Sequence, residues 1–361
     1  MLRQYKTRPD FRVLFVTQTG RVENPNMDPS VRYRCFNPAE VFREKGVLAD
    51  VVAQQRLVPS MLDGYDAFVF HRPYGGDVSL KICIDRIRSS GRPCVADYDD
   101  LIFDPAYALQ SSIFLNGVRD EEQTIKVFNE NLLGFELFSS FTVSTTSLAK
   151  HVQALAPEAK VTVIPNGLSA KLLRTLDICE NGGSWPRKWI TYLSGTASHN
   201  PDFAFVASTL AEFVNRHPEF KVVVAGPLEL PVDFPSWAVM RLPHRPYREF
   251  FASAGIGWVN IAPLKPENAF NECKSALKFF ESGIWGVPTI ASPISDFKRF
   301  LDSNGLVFAT TPEDWMLELE RFADDGVRHD ASLGLSEYCR RNCMAETSAI
   351  ALLDLLKGDC A

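Results

Sequence analysis

Asn271-Glu272-Cys273-Lys274-Ser275-Ala276-Leu277-Lys278-Phe279-Phe280-Glu281-Ser282-Gly283-Ile284-Trp285-Gly286-Val287-Pro288 is the stretch whose reading decides the fold. It reads as a loop that opens a helix, followed by a buried strand from Val287 to Ala291. Lys274, Lys278 and Glu281 stand at i, i+4 and i+7 and so share one helix face. Leu277, Phe280 and Ile284 form the opposite, apolar face. Ser275 is the expected N-cap, which places Lys278 in the first turn, where a lysine opposes the helix dipole. An anion at the helix N-terminus resolves that misfit, because the free N–H groups there favour phosphate. Glu281, two turns in, then accepts hydrogen bonds from sugar hydroxyls. The competing reading is a solvated ion pair between Lys278 and Glu281, worth roughly 0.2–0.5 kcal/mol.

Outward from this stretch, apolar strands alternate with helices. The first half has strands expected at 11–17, 48–53, 67–71, 93–97, 141–144 and 161–164. The second has them at 189–194, 221–225, 238–242, 257–261, 287–291 and 306–308. Their unbroken apolar character predicts parallel sheets covered on both faces. Asn37-Pro38 is the expected start of the first helix, and 335–356 reads as one helical tail. Asn181-Gly182-Gly183-Ser184 with Pro186 has linker composition. The chain therefore divides into a first doubly wound α/β domain (1–175), a linker (176–187), a second such domain (188–334) and a tail (335–361) expected to pack back on the first domain. Two such domains face a cleft between the carboxyl-end loops of their strands, where ligands bind. Thr17-Gln18-Thr19-Gly20 lacks G-x-G-x-x-G, which disfavours a dinucleotide cofactor.

With 361 residues, 46% hydrophobic and 23% charged, the chain has the length and composition of a two-domain globular protein. A net charge of −6 argues against a general nucleic-acid binder. No apolar run approaches the roughly 20 residues that span a bilayer, and no leader pattern precedes the first strand. The eight cysteines form no CxxC pair, so reduced thiols in the cytoplasm are expected, with no structural zinc.

Three further segments complete a pattern. They are Val163-Ile164-Pro165-Asn166-Gly167, then Gly286-Val287-Pro288 with Ala291-Ser292 after Glu281, then Asn304-Gly305-Leu306-Val307 with Pro312-Glu313-Asp314. In this order and spacing they resemble the GT-B glycosyltransferases, specifically the nucleotide-sugar-dependent group called family 4 and its relatives in bacterial surface-polysaccharide loci. Gly195-Thr196-x-x-His199 and Asn271-x-x-Lys274-Ser275-x-x-Lys278 are similar to a polysaccharide-associated subgroup. The resemblance implies a GT-B fold and transfer of a sugar from a nucleotide-diphosphate donor to a glycan or lipid-linked glycan. It implies retention, no metal and no cofactor beyond the nucleotide sugar as co-substrate. A lipid-linked acceptor would bring the protein to the inner face of the membrane, with Phe103, Phe114 and Leu115 as the expected apolar lip.

By resemblance, Glu281 binds the nucleotide ribose, and Lys274 and Lys278 take the phosphates, with Gly195, Thr196, His199, Ser275, Glu272 and Arg245 around the donor. Two departures stand out. The first glutamate of the family's E-x7-E falls at Cys273, one place from Glu272. The usual Arg/Lys pair after the second domain's first strand is replaced by residues 194–202. In the first domain, Asp97, Asp99 and Asp100 end a strand. Asp99 or Asp100 is expected to position an acceptor hydroxyl or to act as base. Arg32 and His71 are expected on the acceptor side, Arg32 and Arg34 alternating as in a strand. The departures leave two alternatives: a GT-B-shaped binding or assembly protein without turnover, and a nucleotide-sugar epimerase.

Overall fold

The computed structural model describes residues 11–176, 187–194, 199–243, 245–294 and 296–358. The linker expected at 176–187 lies almost wholly outside the described residues, as do Gly195 and Thr196. The first sheet contains β1 (Arg12–Thr17), β2 (Leu48–Ala53), β3 (Ala67–His71), β4 (Cys94–Tyr98), β5 (Ser140–Val143) and β6 (Lys160–Val163). Its order is β2-β1-β3-β4-β5-β6, with every pairing parallel. The second contains β7 (Lys188–Leu193), β8 (Phe220–Ala225), β9 (Val239–Leu242), β10 (Val259–Ala262), β11 (Thr289–Ala291) and β12 (Leu306–Phe308). Its order is β12-β11-β10-β7-β8-β9, again parallel throughout.

The expected α/β fold class is the one observed, two doubly wound sheets with helices on both faces. Central strands are apolar on both sides because both sides are covered. Val13, Leu14, Phe15 and Val16 of β1 are all buried, and so is the whole of β10. In each sheet the strand order reverses once, between β1 and β3 and between β7 and β10. At such a reversal the loops diverge and leave a crevice at the carboxyl ends.

Two helix boundaries differ from the sequence expectation, each where a side chain or backbone group is committed to a distant partner. The first helix does not start at Asn37. It starts at Pro29, capped by Asp28, and passes through a π-turn at Arg32–Phe36. The Asn37 amide is drawn away to the Gly167 carbonyl, 2.9 Å off. Because 32–36 is helical, Arg32 and Arg34 do not alternate across a sheet. The tail is two helices, Leu335–Asn342 and Ala345–Lys357. It breaks where Leu168 takes the Cys343 carbonyl at 2.7 Å and Ala345 donates to the Leu168 carbonyl at 2.9 Å. Gly167 permits this crossing, since a Cβ there would meet the Ala345 backbone nitrogen at 2.5 Å. Beyond the crossing, Ala349, Leu352, Leu353 and Leu356 pack into the core of the first sheet with Val13, Phe15 and Val69.

Arg34 is buried and bidentate to Asp97 at 2.5 and 2.9 Å, and it also donates to the Ile164 carbonyl and Asn166. Removing one partner of a buried pair strands the other charge, at a cost of about 3–5 kcal/mol. Arg34→Met should lower the urea unfolding free energy by about that much, and Arg34→Met with Asp97→Leu should recover much of the loss. A loss below about 1 kcal/mol in the single variant would show the pair to be dispensable.

Candidate active site

Loops from the carboxyl ends of the two sheets meet, with Asp100 after β4 against Lys274 after β10. On the first side, β3 ends in His71, followed by Arg72 in the left-handed region at φ 50. A non-glycine residue held there is strained, and such strain concentrates at functional sites. Arg72 donates from Nε to Asp99 at 2.7 Å and stands 3.8 Å from Asp100. Burial pushes the Asp99 carboxyl up, but Arg72 and then His71 overcome it and hold it well below the usual carboxylate range. Ser30 adds a third hydrogen bond to Asp99, at 2.6 Å. A carboxylate so stabilised is a poor base, and the geometry gives Asp99 a scaffolding place.

His71 is a correction to the sequence reading. It was expected to face an acceptor, yet it is 1% exposed. Nδ1 bonds Thr17 at 2.8 Å, while Nε2 bonds Ser30 at 2.9 Å and Asp99 at 3.2 Å. Both ring nitrogens are satisfied inside the protein, so the ring orients Asp99 and does not reach the cleft. Arg32 is a second correction. Its guanidinium lies 4.4 Å over the Tyr247 ring of the second half, beside Glu281's partner Tyr33, and not on an acceptor-side strand.

On the second side, the loop after β10 carries the two short helices Ala269–Glu272 and Leu277–Gly283. Asp202 fastens this loop by accepting from the Lys265 amide at 2.9 Å and from Asn271 at 2.8 Å. The sequence marked Asp202 only as part of a helix start, and nothing in its local pattern announces these long-range bonds. The helix does not open at Ser275. Ala276 is its N-cap, and the Ala276 amide donates to the Asp296 carboxylate at 2.7 Å. The anion expected at this helix end is thus a side chain of the protein itself, and Ser275 instead accepts from Asn166 at 3.0 Å.

Lys278 projects from that helix toward the end of β7. Its ammonium donates to the Leu193 carbonyl at 2.5 Å and lies 4.8 Å from the Tyr192 ring centroid. Among the described residues no carboxylate pairs with it, so the i,i+3 ion pair with Glu281 does not form. Burial pulls the Lys278 ammonium down to about 8. Glu281 is raised, again by burial, which outweighs the hydrogen bond from Tyr33 and the charge of Lys278. Tyr33 donates to Glu281 Oε1 at 2.5 Å and accepts from the Tyr247 hydroxyl at 3.1 Å. His199 sits close by, 3.5 Å from Asp202. Burial lowers its pKa, opposed by Asp202 and assisted by Lys278 and Lys274.

Lys274 crosses the junction and holds both oxygens of Asp100, at 3.2 and 3.3 Å. Cys273 is fully buried in the first half's aromatic core with Tyr98, Phe103 and Phe128. Burial pushes its thiol up to about 12, so it supplies no charge where the resemblance places a glutamate. Glu272 is exposed, as is Arg245 on the loop after β9. Phe103, expected on an exposed lip, is buried, whereas Leu115 is 46% exposed. Beyond β1, Gly20, Arg21, Val22, Glu23, Asn24 and Met27 line an open groove of about 410 Å³. Among the described residues no group of three His, Cys, Asp or Glu side chains is placed to hold a metal ion. No helix among them is long and apolar enough to cross a membrane.

No protein-family model matches the sequence, and no curated protein is significantly similar to it. Solved structures do match over nearly the whole length. A sucrose-phosphate synthase from Thermosynechococcus elongatus aligns with a TM-score of 0.65 at 10% identity, covering 96% of this chain and 98% of the other. HepE of Anabaena, in complex with UDP-glucose, aligns with a TM-score of 0.63 at 13% identity, covering 96% and 100%. A putative UDP-N-acetylglucosamine 2-epimerase from Listeria monocytogenes aligns with a TM-score of 0.54 at 11% identity, covering 97% and 96%. At these identities the likeness is one of fold, the two-domain GT-B arrangement.

The Lys278 shift gives a pH prediction. Between about 8 and the ordinary lysine value of 10.5 the unfolded chain binds more protons than the native state at this site. The penalty of burying the ammonium is therefore complete below pH 8 and fades as pH rises. Lys278→Met should be more stable than the parent protein at pH 7, and the difference should shrink steadily toward pH 10.5. Urea midpoints of the two proteins across that range check it, and a constant difference would mean that Lys278 keeps an ordinary affinity for its proton.

Proposed function

We propose that this protein is a glycosyltransferase that moves a sugar from a nucleoside-diphosphate donor to a glycan or lipid-linked glycan. The observation that carries this reading is the Lys278 ammonium, half-buried at the β7/β10 reversal without a carboxylate within ion-pair distance among the described residues. A half-buried cation in that position would be completed by an anionic ligand. Lys274 stands at the same junction, and two ammonium groups beside a diphosphate offset the charge that grows on it as the glycosidic bond breaks. Glu281 would take a ribose hydroxyl. The solved structures of like fold include HepE in complex with UDP-glucose and a putative UDP-N-acetylglucosamine 2-epimerase, which supports the donor class.

The acceptor would approach from the first half, along the groove lined by residues 20–27. Closing two domains over the donor excludes water and limits its hydrolysis. By resemblance the product keeps the donor's anomeric configuration and no metal takes part. The work of a metal would fall to the two lysines.

One observation favours the alternative, a nucleotide-sugar-binding protein without turnover. The position where the resemblance expects a sugar-contacting glutamate is a buried thiol, Cys273, whose carbonyl is taken by Thr145 at 3.1 Å. The two readings share the donor site and differ in chemistry.

A thermal-shift panel of UDP, GDP, dTDP, CMP and their common sugar conjugates tests the shared part. A ligand that binds only the native state raises the melting temperature by mass action, equivalent to about 2.7 kcal/mol at a hundredfold excess over Kd. One nucleotide should stabilise the protein selectively, and Glu281→Ala should abolish the shift. No shift with any nucleotide would defeat the donor reading. Binding without release of sugar to water or to any glycan acceptor would move the alternative to first place.

A further inference from the structure

Two bonds join the halves through side chains that the donor reading assigns to the ligand. Tyr33, from the first half, gives its phenolic proton to Glu281 Oε1 at 2.5 Å. The Tyr33 hydroxyl receives the Tyr247 proton at 3.1 Å, which orients its own proton toward Glu281. A hydroxyl donating to this carboxylate is what a ribose hydroxyl would supply. Asp100, also from the first half, presents both carboxylate oxygens to the Lys274 ammonium at 3.2 and 3.3 Å. An anion held against this lysine is what a phosphate would supply.

In both bonds the first half contributes the ligand-like group and the second half contributes the binding group. A vicinal diol engages both oxygens of a carboxylate, and one oxygen of Glu281 is already occupied. Tyr33 is 3% exposed, so its bond lies away from solvent, whereas Lys274 and Asp100 are 28% and 20% exposed and their bond is the more solvated and weaker of the two.

We propose that Tyr33 and Asp100 act as internal surrogates for the donor's ribose hydroxyl and phosphate, latching the halves closed when the site is empty. This inference rests on the donor reading above. Nucleotide entry is then an exchange, in which the ligand displaces Tyr33 from Glu281 and Asp100 from Lys274. The apparent affinity is reduced by the fraction of molecules held in the latched form.

The two partners of one bond carry opposite predictions. Tyr33→Phe and Asp100→Asn each remove a competitor and should tighten UDP, GDP or dTDP binding, whichever the protein takes, by about tenfold. Lys274→Met breaks the same bond as Asp100→Asn but removes the ligand's own contact, so it should weaken binding. All three are near-isosteric, and a cooperative thermal melt confirms that each is folded. Small-angle scattering on the full chain without nucleotide supplies a second readout. Tyr33→Phe combined with Asp100→Asn should increase the radius of gyration, and Lys274→Met should shift it in the same direction. An unchanged radius in the double variant, or weaker nucleotide binding in Tyr33→Phe and Asp100→Asn, overturns the proposal. Opening of the double variant with no nucleotide bound by any of the proteins upholds the latch and defeats the donor reading alone.

Discussion

The buried pair between Arg34 and Asp97 is the constraint on which the junction depends. Asp97 sits in register with His71 on β3 and Thr142 on β5, and it accepts from Thr142 as well as from Arg34. Arg34 spans from there to the Ile164 carbonyl and Asn166 beyond β6. One guanidinium therefore locks the carboxyl ends of β4, β5 and β6 to the π-turn at Arg32–Phe36. A π-turn carries an extra residue, rotating the side chains that follow, and such turns recur at functional sites. Here it sends Arg34 inward to the pair and leaves Tyr33 and Arg32 against Tyr247 and Glu281. Asn166, fixed by Arg34, reaches across to Ser275. The orientation of the second half's binding helix thus traces back to a charge pair in the first.

Burial acts on the junction in a consistent direction. It lowers Lys278 and raises Glu281, so each group is pushed toward its neutral form. Groups of opposite charge that are both desolvated and not bonded to each other are costly to the folded protein. The first half behaves differently. Asp99 is surrounded by Arg72, His71 and Ser30, and it is held ionised with its bonds filled. One side of the junction is electrostatically complete, while the other is completed by Tyr33, Asp100 and a backbone carbonyl.

Much of the architecture was legible from the sequence because it rests on local periodicity. The strands at 48–53, 67–71 and 306–308 are where the apolar-rich runs place them, the first interrupted only by the exposed Asp50. Leu277, Phe280 and Ile284 face the core as their spacing implies. Lys274, Lys278 and Glu281 do gather at the junction, although Lys274 precedes the helix and is not part of it. The misreadings have one cause. Ser275 and Asn37 are good caps by residue type, yet both are engaged by partners more than a hundred residues away. His71 at a strand end looks like a cleft residue, but Thr17, Ser30 and Asp99 converge on it from three other segments.

The sequence by itself determined the two doubly wound sheets, since strand and helix periodicities are properties of neighbouring residues. It also determined which cations and carboxylates the carboxyl-end loops carry. Only the tertiary structure decided how those charges are used. It paired Lys274 with Asp100 across 174 positions and Tyr33 with Glu281 across 248. It capped the Leu277–Gly283 helix with Asp296 and left Lys278 facing a carbonyl and a ring. Such pairings depend on which loops the two folded sheets bring together, and hydrogen-bond geometry at 2.5–3.3 Å carries no trace in local spacing.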